Sequence, residues 1–202
     1  MAKLGSASYN YPGLNSAAGL GSTGKVKQWD GTYDAELDPT GYTVNIGVGH
    51  HKIHEGELFE ASEYDGDVNI AVPKEYLLQT PAGTSYAHLV FIVEASGETK
   101  VEFFEDAVIT ASGSEMEMIN NDRNSANVGP VLAFGSASFS ASGSCLVSRL
   151  MGGNQGAVRI GGEKRNQEHI LKPSANYFLR LTVAADNTRV NTLFSIYSTD
   201  LS

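Results

Sequence analysis

One cysteine, one tryptophan, six prolines and only 14 basic side chains stand among the 202 residues, and each scarcity excludes something. A lone Cys145 makes no intrachain disulfide framework, and by itself it builds no thiolate metal site. The 14 Lys and Arg face 23 Asp and Glu, a net charge of -9. That charge repels a nucleic-acid backbone or an anionic membrane surface, and no local basic cluster reverses the average. Apolar runs are short: stretches such as His88 to Val93 fall far below the roughly 20 residues that cross a bilayer. The first 24 residues also lack the apolar core of a signal peptide. A soluble protein made in the cytoplasm is expected, with neither nucleic acid nor membrane as a partner. Its stability must come from a packed core or from assembly.

Glycine is plentiful, at 22 residues, and much of it lies in turns and near the N-terminus. The first 24 residues hold five Gly, four Ser, four Ala and one charge, Lys3. Ordering such a run costs about 1 to 2 kcal/mol per residue in backbone entropy, so it is fixed only against another surface. Fully extended it would reach roughly 80 Å. Residues 1–42 are therefore expected to form an extended arm and bridge, with Tyr9, Tyr11, Trp29, Tyr33 and Tyr42 as its anchors, because Tyr and Trp are enriched at interface hot spots.

From Thr43 onward, short alternating segments recur with turn chemistry between them. Thr43 to Val48 reads as the first strand of a body spanning residues 43–202. Further strands are expected at Leu58 to Ser62, Asp67 to Val72, His88 to Ala95, Thr99 to Asp106, Glu115 to Ile119, Val131 to Ser140, Ser144 to Met151, His169 to Lys172, Asn176 to Ala184 and Arg189 to Ser198. Lys74 to Thr80 has the residues for a single helical turn. Ser96-Gly97-Glu98-Thr99 and Ala185-Asp186-Asn187-Thr188 each read as a hairpin turn. In the strand before the second turn, Tyr177, Leu179, Leu181 and Val183 share one face, and Phe178, Arg180 and Thr182 the other. Many short strands in about 150 residues fit an all-β, jelly-roll-like antiparallel β-sandwich carrying an extended N-terminal arm.

Candidate chemistry is sparse. His50, His51 and His54 cluster with Glu55 and Glu57, and His88 follows at a distance. Such histidines invite comparison with a cupin-like metalloprotein. In an extended strand, however, His51 and His54 point to opposite faces and adjacent His50 and His51 diverge, so one ion is not chelated without a turn. No cofactor and no metal are expected, and the histidines are assigned to strand hydrogen bonds or a subunit contact. Cys145 has no base beside it and reads as a small buried hydrophobe. No serine stands in a nucleophile elbow, and no helix follows the Gly-rich loops to make a phosphate cradle. Pairs such as Glu102 and Glu105, or Glu115 and Glu117, read as solvent-facing strand positions. Asn120 to Ser125 places Arg123, with its five donors, among short amides and a carboxylate. This composition staples a loop through Asn121, Arg123 and Asn124, or alternatively binds a sugar.

The order of these segments resembles a group of tailed-bacteriophage proteins that decorate or cement the capsid. The resemblance rests on HHKIHEGELFEAS, then AHLVFIVEAS-GETKVEFFEDAVIT, then NNDRNS, a Gly-rich loop and EHILKPSANYFLRLT. It covers about three quarters of the chain, from His50 to the C-terminus. Matching positions are Ile53, His54, Gly56 and Phe59, then Asn121, Arg123 and Asn124, then Ile170, Leu171, Lys172, Pro173, Tyr177 and Arg180. The resemblance implies a non-enzymatic β-sandwich trimer on the outer surface of a virion, bound to the major capsid protein, and it implies fold and oligomer maintenance for those residues. His51, His54, Asn121, Arg123, Asn124 and Arg180 are accordingly expected at oligomer contacts or loop staples. A glycan- or receptor-binding module on a virion appendage is the alternative, and a cupin-like metalloprotein the third reading.

Overall fold

Leu89, Phe91, Val93 and Ala95 are buried while the residues between them are half-exposed, the period of two that a strand over a core imposes. The same alternation runs through Val190 to Ile196. A computed structural model of the chain describes residues 25–27, 33–37, 43–83, 86–152, 158–160 and 168–198. The chain divides between Glu55 and Gly56 into two units.

The N-terminal unit contains an antiparallel sheet of β1 (Lys25–Lys27), β2 (Tyr33–Leu37) and β3 (Thr43–Gly47), followed by α1 (Val48–His54). No described helix is long and apolar enough to cross a membrane.

The second unit is a sandwich of two antiparallel sheets. Its strands are β4 (Leu58–Val68), β5 (Lys74–Gln79), β6 (Ala87–Ala95), β7 (Thr99–Glu105), β8 (Val108–Ala111), β9 (Ser114–Met116), β10 (Ile119–Asn120), β11 (Leu132–Gly135), β12 (Ser138–Ala141), β13 (Ser144–Met151), β14 (Val158–Ile160), β15 (His169–Leu171), β16 (Asn176–Val183) and β17 (Thr188–Ser198). One sheet has the order β10-β4-β17-β6-β14, with β15 also on β6; the other runs β13-β7-β16-β5-β11-β9. Two stretches of these orders, β4-β17-β6-β14 and β5-β16-β7-β13, show the jelly-roll connectivity. Successive strands cross between sheets so that the last strand lies beside the first and the next-to-last beside the second. The added strands β10, β11 and β9 extend the two sheets beyond β4 and β5.

Side chains from the two inner faces meet in one core, with Tyr76 and Leu78 from β5, Leu89 and Val93 from β6, Val101 and Phe103 from β7, Leu179 and Leu181 from β16, and Phe194 and Ile196 from β17. Aromatic rings set its thickness: Phe103 lies 5.3 Å from Phe91 and 5.7 Å from Tyr177, and Tyr76 meets Phe194 edge-on at 5.5 Å. A smaller cluster sits on the outer face of the second sheet. There the two-stranded sheet of β8 and β12 brings Phe139 to 3.8 Å from Phe178, which also stacks on Phe104. Phe178 is thereby fully buried, although alternation alone assigns it to the outward face of its strand.

Several expectations change. Lys74–Gln79 is a strand and not a helical turn: Tyr76, Leu77 and Leu78 are buried in succession, and a strand covered on both faces overrides the helix preference of Lys, Glu and Leu. Val131 to Ser140 splits into β11 and β12, broken at Ser136 with φ of 56°. β3 pairs with β2 and lies in neither sandwich sheet, so the division falls at Glu55 and Gly56 where the sequence placed it after Tyr42. The histidine segment is helical. Basic residues fill its last turn, where they complement the helix dipole, and Gly56 follows with φ of 65°, a backbone that glycine adopts readily where helices end.

Candidate functional site

Two segments that are 64 residues apart in sequence close on each other around Gly56. The buried Asn120 amide donates to the Gly56 carbonyl at 2.9 Å, and the Asn127 amide donates to the same oxygen at 3.1 Å. Asn120 Oδ1 accepts the Asp122 N–H, and Asp122 Oδ1 accepts the Asn124 N–H, both at 2.9 Å. The Asn121 N–H donates to the Leu58 carbonyl. A side chain on Gly56 would run into the Ser125 hydroxyl. This loop is therefore stapled, but not by its arginine: Arg123 is exposed and makes no hydrogen bond or ion pair among the described residues. The staple is Asn120, Asp122 and Asn127; the first two lie within the segment expected to fix the loop, and Asn127 lies just beyond it. Asn120→Ala should cost about 1 to 3 kcal/mol, since it removes one of two amide donors to the Gly56 carbonyl and leaves the Asp122 N–H without its acceptor. Urea denaturation measures it, and a loss near zero contradicts the staple.

A second junction joins the β6–β7 hairpin to the segment around β15 and β16. Glu105 accepts from the Lys172 ammonium at 2.5 Å and from the Tyr177 hydroxyl at 3.0 Å, while that hydroxyl accepts the Lys172 N–H at 2.8 Å. Glu105 is thus not the solvent-facing residue that alternation implied. The sequence signal was present, because Lys172 and Tyr177 are five apart across a Pro-Ser turn, yet the partner lay 67 residues away. The Lys172 hydrogen bond chiefly, helped by Tyr177, holds the Glu105 carboxyl below its usual range. Burial, opposed by the Lys172 N–H, pushes the Tyr177 hydroxyl up to about 12. A carboxyl lowered on folding contributes stability above its unfolded value near 4.5 and loses it as pH falls through the folded value. Glu105→Gln should therefore flatten the acid limb of the stability curve below about pH 5 while leaving the slope near neutrality unchanged. Denaturant midpoints across pH measure this, and parallel acid limbs in both proteins contradict it.

Arg180 bonds Glu75 across β16 and β5 at 2.8 to 2.9 Å and lies over the Phe178 ring at 4.7 Å. It belongs to the outer face of the second sheet, where it closes over the small aromatic cluster.

His88 on β6 and Tyr197 on β17 are register partners whose rings stack at 4.7 Å. His88 Nδ1 and the Tyr197 hydroxyl both meet Oε1 of Glu168. This carboxylate fixes the imidazole orientation, an arrangement that serves a general base as readily as a strand clasp. His50, His51 and His54 lie in the other unit, on α1. There His51 pairs with Glu55 at 2.9 Å, Lys52 with Glu55 at 2.7 Å, and His54 Nε2 stands 2.9 Å from His50 Nε2. The divergence expected of an extended strand does not hold, because helical spacing puts positions four apart on one face. Among the described residues no set of three or more His, Cys, Asp or Glu side chains is placed to hold a metal ion.

A depression of about 440 Å³ on the sandwich is lined by Ser62, Glu63, Glu115, Met116 and Glu117, among others. Glu63 Oε2, the Tyr76 hydroxyl and Thr192 Oγ1 are buried and make no hydrogen bond of good geometry, although Thr192 and Glu63 both neighbour the Tyr76 hydroxyl, while Glu63 Oε1 holds Lys74 at 2.6 Å. Burial raises the Tyr76 hydroxyl above its ordinary range.

β13 is a largely exposed strand at the edge of its sheet beside β7. Only Met151 is buried along it; Leu146 is 44% and Leu150 66% exposed. Cys145 is exposed too, against the burial expected from its type, because edge position outweighs residue preference. β13 contains no proline and no acidic residue, and one charge, Arg149. It lacks most of the devices that keep an edge from pairing with another chain. Of the expected arm anchors, Tyr9, Tyr11, Trp29 and Tyr42 lie outside the described residues, and Tyr33 is described only as a backbone position in β2. Comparison with family models, with curated proteins and with solved structures gave no match.

Proposed function

We propose that this chain is a non-enzymatic virion subunit, a jelly roll that decorates and stabilises the outside of a bacteriophage capsid as a homotrimer bound to the major capsid protein. The observation that supports it best is where the resembling segments spend their polar groups. Gly56 and the Asn120 to Asn127 loop close on each other, Glu105 closes on Lys172 and Tyr177, and Arg180 closes on Glu75. Those groups hold strands in register, as suits a protein whose product is shape. A rigid sandwich of this kind resists strain, and three copies in one particle-bound unit multiply modest contacts into strong retention.

The contact between copies is placed on the β13 edge, and its occupant is a second copy of this chain. Two copies carry a net charge of -9 each and repel one another, and β13 is a strip with one positive and no negative side chain, where that repulsion is least. Its exposed leucines supply the apolar contact. Sedimentation at several concentrations tests the oligomer, for which three times the 21.5 kDa chain mass is expected, and co-sedimentation with purified shells tests attachment. A monomer that stays in the supernatant contradicts the proposal. The exposed Arg123 is the one observation that favours glycan binding instead. Glycan-array binding abolished by Arg123→Ala, with the oligomer intact, would move the assignment there.

A further inference from the structure

We propose that His50 and His54 form a two-nitrogen chelate for a late first-row divalent ion, with copper(II) as the best fit. The two residues are four apart on α1, one turn above the other, and both are exposed. Their Nε2 atoms stand 2.9 Å apart, with the rings edge-on at a centroid distance of 4.6 Å and an interplanar angle of 75°.

That separation has a coordination meaning. Two imidazole nitrogens bound at about 2.0 to 2.1 Å to one ion are about 2.9 Å apart when they subtend a right angle, and about 3.4 Å apart in a tetrahedron. The observed spacing is that of a hydrogen bond, and it puts both nitrogens within reach of one ion after small ring rotations. The order of divalent affinities selects among ions, since copper(II) stands at its peak for nitrogen donors. Without an ion, the same two nitrogens share one proton in an N–H···N hydrogen bond. For both nitrogens to bind an ion, the donor ring carries its proton on Nδ1 instead of Nε2, so the neutral pair binds without net proton release, and protonation of either ring competes with the ion.

The neighbouring residues leave the pair free for this role. Glu55 is held by His51 and Lys52, which keeps the third histidine of the segment on the flank of the helix in an ion pair of its own. The remaining positions on the ion are open to water or to a donor on another molecule. A ring bridge across one turn also pins a seven-residue helix, which is too short to be stable by hydrogen bonding alone.

Calorimetric titration of the full chain with copper(II) and, separately, nickel(II) tests this, with His50→Ala, His54→Ala and His51→Ala beside the unchanged protein. Alanine has the highest helix propensity, so none of the substitutions introduces a helix-breaking residue. Each of the first two should weaken binding by roughly 10²-fold, the loss expected when a second, intramolecular contact is removed, and His51→Ala should leave it within about threefold. Hydrogen exchange gives an independent readout. Amides of residues 51 to 55 should gain protection on adding nickel(II) in the unchanged protein and in His51→Ala, and gain none in His54→Ala. Equal affinities in all four proteins, or loss with His51→Ala as large as with His54→Ala, overturn the proposal. Tight binding with no change in helix protection also overturns it, by placing the ion elsewhere.

Discussion

Phe103→Ala is expected to lower the unfolding free energy by about 3 to 5 kcal/mol, the range for emptying a buried aromatic site in a close-packed core. Phe103 is fully buried on the inner face of β7. Its ring lies against Phe91 of the facing sheet at 5.3 Å, against Tyr177 of the adjacent strand at 5.7 Å, and against His169 at 5.2 Å. The strands that carry these rings are locked by ladder hydrogen bonds and cannot collapse into the space. Small domains are stable by about 5 to 15 kcal/mol in all, so the variant would be marginal at physiological temperature. Burial also holds His169 below the ordinary histidine range, with Arg149 adding to it. Opening the core beside it should therefore let that imidazole titrate closer to its ordinary value. Urea unfolding and an NMR titration of His169 are the measurements. A loss under about 1 kcal/mol would mean that the sheets do not meet over this ring.

The second large effect is on assembly and not on folding. Leu146→Glu with Leu150→Glu should leave the thermal midpoint of the isolated subunit nearly unchanged, because both side chains already face solvent and surface substitutions usually stay within about 0.5 kcal/mol. Association should fall by at least about 30-fold, which corresponds to the roughly 2 kcal/mol that marks an interface hot spot, since two carboxylates would enter a strip that carries no negative side chain. Sedimentation should report single chains at concentrations where the proposed trimer of the unchanged protein is expected. A trimer that survives the double substitution removes β13 from the seam, while a variant that fails to fold would show that the leucines are held within the subunit.

Much of the sandwich was legible because its signal is local. β6, β7, β13, β15, β16 and β17 follow directly from alternation between turn residues, and even the jelly roll follows from their number and brevity. What was not legible depended on groups far apart in the chain. Lys74 to Gln79 is made of helix formers, and only burial on both faces makes it a strand. Phe178 is buried by Phe139 of a flap that no local pattern announces. The His50 to His54 segment has no apolar stripe to mark a helix, so its chelating spacing was hidden by an extended reading. Glu105 and Asn120 look like ordinary polar positions until Tyr177, Lys172 and Gly56 arrive from 64 to 72 residues away. Polar staples of this kind leave no periodicity, because each is one residue meeting one other.

The decisive measurement is a reconstruction of the phage particle assembled with this chain present. Jelly-roll density projecting outward from the shell in clusters of three, with the β13 edges turned toward one another and each cluster seated on the major capsid protein, is the expected result. Particles that carry no such density, formed alongside a chain that sediments as a monomer, would contradict a role in the capsid altogether.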